Sequence, residues 1–229
     1  MKKPHENKIM NIKKTFVLIA TLILAFSINA FAQKAKPANS SKTKKSVTAT
    51  ELFKILPSDY VNASADKRVE SLVFPVKSES DYLKFMLAGE RIPTTLRADF
   101  REPEGLVDMR VFRGSSSIFV GLRYQIGDAK KESPTVDSVK ITTFLLAYKQ
   151  GKWTDVSTLM LPTMSVAEAH TALSKSFPEV KKDSVWLETQ ILEDMSGVSL
   201  VGRMIGNEFA TPLKRFKWNG GKFVEIRGI

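Results

Sequence analysis

Cysteine is absent from all 229 residues. That excludes disulfides, thiolate nucleophiles and cysteine-ligated zinc or iron–sulfur centres. It also excludes lipid anchoring at a processed cysteine. Histidine is almost as scarce: His5 lies near the start, and His170 is the only imidazole after it. A histidine-rich metal site is therefore out of reach. The chain carries no Gly-x-Ser-x-Gly elbow, no P-loop and no Gly-x-Gly-x-x-Gly fingerprint, so the common signatures of serine hydrolases and nucleotide binders are missing. Acidic residues are absent between positions 33 and 47.

Long apolar runs are also lacking. The most prominent, Thr15 to Phe26, has 12 residues, against about 20 needed to cross a bilayer core. Five lysines and one glutamate precede or accompany it, and Ser27-Ile28-Asn29-Ala30-Phe31-Ala32 places small residues before Gln33. A basic start, a short apolar stretch and an Ala-x-Ala end make the pattern of a secretory signal peptide. The expectation is that residues 1–32 are removed on export, leaving no transmembrane segment and a periplasmic or extracellular protein of a bacterial envelope.

The formal charge of +11 is unevenly spread. Residues 1–32 hold five lysines and one acid; residues 33–47 hold five lysines and none. From Thr48 onward 25 basic residues face 23 acidic ones. The folded part is thus nearly neutral, which argues against a nucleic-acid partner. Residues 33–47 have one sizeable apolar side chain, Val47, and read as a disordered lysine-rich linker. Its charge suits weak electrostatic contact with an anionic membrane surface.

What remains is rich in strand patterns. Thr48-Ala49-Thr50-Glu51 and Ser165-Val166-Ala167-Glu168 are capping boxes, each opening a short helix. Pro57 and Pro178 mark their ends, the second helix reaching to about Phe177. Residues 58–68 read as turns, and Val69–Val76 as a strand. Ser80–Ala88 suits either a strand or a helix; the preferred reading is a strand pairing back with Thr94–Phe100 across the Gly89–Pro93 turn. Leu106–Phe112, Ser117–Ile126, Ser138–Lys149, Lys152–Ser157, Ser184–Leu192, Val198–Ile205, Phe209–Trp218 and Lys222–Ile226 complete the strands. The fold class expected is mainly β, or α+β: two antiparallel β-meanders bridged by a short helix, with an N-terminal helix in front. One β-rich domain, 48–229, follows, divisible into half-repeats 48–162 and 163–229.

The half-repeats rest on two overlays. Tyr148-Lys149-Gln150-Gly151-Lys152-Trp153 matches Trp218-Asn219-Gly220-Gly221-Lys222-Phe223, and Phe119-Val120-Gly121 matches Leu200-Val201-Gly202. Each hairpin would set an aromatic pair directly across the strands, Tyr148 with Trp153 and Trp218 with Phe223, contributing about 0.2–1 kcal/mol. The strings Gly151–Ser157 with Leu161-Pro162, and Phe216–Val224, resemble hairpins of secreted bacterial proteins of uncharacterised function. The resemblance covers about the last 90 residues. It implies a β-rich envelope protein and assigns no catalytic residue.

Candidate chemistry is sparse. His170, on the second helix, is a candidate general base. Glu102 with Glu104, and Glu193 with Asp194, are candidate carboxylate pairs for glycoside-type hydrolysis. Asp128, Glu132 and Asp137 offer oxygens for a hard cation, but Lys130 and Lys131 oppose it. No metal, cofactor or catalytic assignment follows. Trp153, Trp186 and Trp218 with Tyr148 and Phe216 form either a binding face for a glycan or protein partner or a sheet core. The binding candidates taken forward are Tyr148, Trp153, Phe216 and Trp218. The function expected is a non-enzymatic binding or interaction protein; the alternative is a small secreted hydrolase using carboxylates or His170.

Overall fold

A computed structural model describes residues 46–73, 80–128, 139–194, 196–205 and 210–226. The expected signal segment, most of the lysine-rich linker, Val76 and the loop holding Glu132 and Asp137 lie outside these residues.

The protein is mainly β, built from two antiparallel sheets. The first sheet has five strands in sequence order: β1 (Tyr82–Ala88), β2 (Pro103–Arg113), β3 (Ile118–Asp128), β4 (Lys140–Lys149) and β5 (Lys152–Asp155). The second has four: β6 (Val185–Ile191), β7 (Gly197–Met204), β8 (Thr211–Trp218) and β9 (Phe223–Ile226). Both are meanders, so every pairing joins neighbours in sequence.

Both capping boxes form. In the first, the Glu51 N–H donates to Thr48 Oγ1 at 3.1 Å and the Thr48 N–H to Glu51 Oε2 at 2.7 Å. It opens α1 (Ala49–Lys54). In the second, the Glu168 N–H donates to Ser165 Oγ at 3.2 Å and the Ser165 N–H to Glu168 Oε2 at 2.9 Å. This opens the helix Val166–Leu173, which bridges the two sheets in sequence. It ends one turn before the expected Phe177, with the Ser174 hydroxyl donating to the His170 carbonyl at 2.8 Å.

Two sequence expectations fail locally. Residues Ala65–Glu70 are a helix, α2, where turns to residue 68 and a strand from Val69 are expected. Asp66 in its first turn and Lys67 and Arg68 in its last complement the helix dipole, and after it Leu72 forms an isolated bridge to Phe85. Residues Thr94–Arg97 form a short helix, α3, not a strand. Gly89, at φ +56°, turns the chain out of β1 into a 3₁₀ turn. Ile92, in extended backbone before the helix, and Leu96 within it are both buried. Their departure leaves β1 to pair with β2, setting Leu83 opposite Met109 and Phe85 opposite Val107.

Alternation along the strands divides the core. Leu83, Phe85, Val107, Met109, Val120, Leu122 and Tyr124 face α1 and its neighbours, where Phe53 and Phe85 rings lie 4.3 Å apart. Burying each such side chain stabilises the fold by roughly 1.5–3 kcal/mol. The opposite face of the first sheet meets the second sheet through Phe112, Leu145, Val198 and Trp218. The far face of the second sheet packs under the Val166–Leu173 helix through Leu173, Val185, Met204 and Leu213. A final short helix, Ser157–Met160, follows β5. In chain order it is α4, and Val166–Leu173 is α5.

The two aromatic hairpins form in the expected register. Tyr148 lies opposite Trp153 with ring centroids 4.7 Å apart, and Trp218 opposite Phe223 at 5.0 Å. The upstream triplets sit differently against them. Tyr148 pairs with Ile118, directly before Phe119, whereas the Trp218 N–H bonds Ser196, well before Leu200. A bulge between Leu200 and Val201 further shifts β7 on β8.

Candidate functional site

The four aromatic candidates separate into two environments. Tyr148 and Trp153 are half-buried and pack on the α1 side of the first sheet, where the Trp153 indole N–H donates to the Ile55 carbonyl at 3.1 Å. Phe216 and Trp218 belong to the layer between the sheets. Trp218 is only 7% exposed, wedged among Phe112, Phe119 and Phe223. Trp186 is half-buried on β6, opposite Arg203. The structure brings together each hairpin pair but not the four residues as one face.

His170 is half-buried on α5, its Nε2 3.0 Å from the Val180 carbonyl. A carbonyl only accepts, so Nε2 carries the proton and donates. The nearest hydroxyl, Ser174 Oγ, stands 3.5 Å from that same nitrogen and already donates to the His170 carbonyl. This geometry ties the helix to the Val180 loop and gives Ser174 no base. Among the carboxylates, Asp128 Oδ1 accepts from the Glu102 N–H at 2.7 Å, closing the open end of the β2–β3 ladder. Glu104 lies in β2 opposite Gly127. Glu193 and Asp194 are exposed in the β6–β7 turn. No group of three or more potential metal-ligating side chains occurs among the described residues.

The densest polar constellation is one that sequence reasoning missed. Between the sheets, Asp108 of β2, Arg123 of β3, Glu188 of β6 and Arg203 of β7 are all buried. Arg123 donates from Nη1 to Asp108 Oδ2 at 3.1 Å and from Nε to Glu188 Oε1 at 2.9 Å. Its Nη2 also reaches Glu188 Oε1, and Arg203 Nε donates to Glu188 Oε2. The Tyr82 hydroxyl donates to Asp108 Oδ1 at 2.6 Å, and Lys84 Nζ stands 3.6 Å from the same oxygen.

Each charge has a physical consequence. Burial disfavours ionised Glu188, but the charge of Arg123 and the hydrogen bonds from Arg203 and Arg123 prevail, so the carboxyl sits below its usual range. Burial first, then the Asp108 charge, pushes the Tyr82 phenol up. Tyr82 therefore stays a protonated donor. Both carboxylates spend their lone pairs on arginine, phenol and ammonium, which makes the cluster a weld between sheets.

The sequence signal for this cluster was faint. Asp108 and Arg110 alternate with Val107, Met109 and Val111, and such polar positions ordinarily face water. Here the second sheet lies over them. Arg110 also reaches across, donating from Nη1 to the Leu192 and Glu193 carbonyls at 3.0 and 2.8 Å.

A shallow open groove runs beside α5, lined by Met164, Ala167, Thr171, Ala172 and Leu213, with Glu168, Lys175 and Lys214 around it. Among the described residues no helix is long and apolar enough to cross a membrane. No family model, curated protein or solved structure matches the chain.

Proposed function

We propose that this is an exported, non-enzymatic binding or interaction protein of the bacterial envelope, periplasmic or extracellular, whose partner is a protein or glycan. One observation carries the reading. The buried carboxylates Asp108 and Glu188 are bound by arginine, and the His170 ring by a backbone carbonyl, so these proton-transfer groups serve the fold. The leader-like residues 1–32 support export, and the near-neutral composition after Thr48 supports a partner other than nucleic acid. The residues best placed to meet a partner are exposed ones, such as Leu159 at 84% and Ile205 at 59%.

Two measurements test this. Fractionation of cells expressing the full chain should recover it, shortened, from the envelope or the medium; full-length protein in the cytosol overturns export. Envelope pull-down should retain a specific partner. Turnover in a broad hydrolase screen that is abolished by His170→Ala, with folding intact, overturns the non-enzymatic reading in favour of the hydrolase.

A further inference from the structure

Three turns converge at one end of the molecule. The β2–β3 turn (Arg113–Ile118) adjoins the β4–β5 tip because Ile118 pairs with both Arg113 and Tyr148, and Tyr148 with Trp153. The β8–β9 tip meets them from the second sheet: the Trp218 indole donates to the Arg113 carbonyl at 2.8 Å, and a Cβ placed on Gly114 would lie 3.0 Å from the Gly220 carbonyl oxygen. Val47 is held there too, its carbonyl accepting from Arg113 Nη2 at 3.1 Å.

Four exposed lysines ring this end: Lys149 and Lys152 on one tip, Lys217 and Lys222 on the other. None of them makes an ion pair among the described residues. Of the acids toward this end, Asp81 pairs with Arg113 at 2.6 Å, Glu193 stands 4.0 Å from Lys84, and Asp155 accepts from the Tyr60 hydroxyl at 3.1 Å. The surplus is therefore cationic. Lys149 stands directly across from Lys152, and like charges so placed destabilise a hairpin. An external anion relieves that repulsion. Directly before Val47 in sequence come five further lysines with no acid among them.

We infer that this end of the folded domain docks on a bilayer surface bearing anionic phospholipid headgroups. Lysine ammonium groups act there as point charges on phosphate, without needing a shaped pocket. Val224, 41% exposed and opposite Lys217, adds a small apolar contact beside the charges. The inference rests on the export reading, which sets the chain against an envelope membrane. Fractionation alone can defeat export, and vesicle binding alone can defeat the docking surface.

The test is sedimentation of the purified product of the full chain with vesicles of phosphatidylglycerol and phosphatidylcholine, against phosphatidylcholine alone. Binding should require the anionic lipid and weaken steeply with salt. Replacing Lys149, Lys152, Lys217 and Lys222 together by Gln should lower partitioning by about 100-fold or more, and replacement by Arg should preserve it. A parallel variant with Gln at the five lysines of residues 33–47 should retain part of the binding. Near-ultraviolet circular dichroism confirms folding of every variant. Undiminished binding by the tip variant, complete loss in the tail variant, equal binding to neutral vesicles, or binding of soluble polyphosphate without binding of vesicles would each overturn the docking surface.

Discussion

Trp218 donates its indole N–H to the Arg113 carbonyl across 2.8 Å, fastening the last hairpin of the second sheet to the β2–β3 turn of the first. The same indole lies 4.9 Å from the Phe119 ring and 5.5 Å from Phe112. One side chain thus supplies an aromatic cluster and the polar latch beside it. Trp218→Phe keeps a ring but orphans the carbonyl, and should cost about 1–2 kcal/mol. Trp218→Ala also opens a cavity and should cost about 3–5 kcal/mol. Urea denaturation checks both; equal losses for the two would mean that ring volume contributes nothing.

Arg68 organises the N-terminal helices. It is 5% exposed and its guanidinium donates to the carbonyls of Ala63, Phe53, Lys54, Leu56 and Val61 at 2.6–3.1 Å. Two of these carbonyls, Phe53 and Lys54, belong to the last turn of α1, where the helix's own ladder runs out. Burial lowers its pKa, but it remains the donor. Lysine has no planar fork to span this fan of acceptors. Arg68→Lys should therefore lose about 2 kcal/mol or more, and Arg68→Met about 3–5 kcal/mol, read as urea midpoints. A lysine variant as stable as the parent would refute the geometric argument.

Glu188 should carry acid sensitivity. Its carboxyl is below the ordinary range in the fold because Arg123 and Arg203 overcome the opposing effect of burial. A carboxylate depressed in this way stabilises the fold above its unfolded value, about pH 4.3. That contribution disappears as pH falls through the folded value. The parent should lose stability on acidification below about pH 4.3. Glu188→Gln should flatten that part of the loss while costing about 3–5 kcal/mol at neutral pH, because buried Arg203 loses its carboxylate and Arg123 keeps only Asp108. Unchanged stability at pH 7 would show the cluster is energetically idle.

The β4–β5 tip offers a gain. Gln150 adopts φ +50° and Gly151 φ +78°. Glutamine is an unusual choice for the left-handed region, where glycine and asparagine are at ease. Gln150→Asn should raise stability by about 0.5 kcal/mol, and Gly151→Ala should lower it by about 1–2 kcal/mol. Thermal denaturation of the two variants should move in opposite directions.

Short-range chemistry was well legible in the chain. Thr48 with Glu51, and Ser165 with Glu168, announce their helices because the two bonds of a capping box join residues three apart. Gln150-Gly151 and Gly220-Gly221 announce the hairpins, and the aromatic pairs across them follow from register alone. Residues 94–100 misled because Thr94, Leu96 and Ala98 alternate like a strand. Pro93 and the left-handed Gly89 redirect the chain into a short helix, and Ile92 before it and Leu96 within it fill the core. The aromatic candidates were hard to place for a related reason. Alternation tells which residues share a sheet face, and a second layer decides whether water reaches it.

The amino-acid order by itself determined the β-rich class, the succession of strands from β2 to β5 and from β6 to β9, and both capped helices, because these depend on contacts or compositions close along the chain. Only the tertiary structure decided that Asp108, Arg123, Glu188 and Arg203 meet between two sheets, that Trp218 is buried, and that two lysine-bearing tips share one end. Asp108 and Glu188 are 80 positions apart. Their meeting depends on how one sheet lies over the other, which is set by the summed packing of many side chains and leaves no spacing to read.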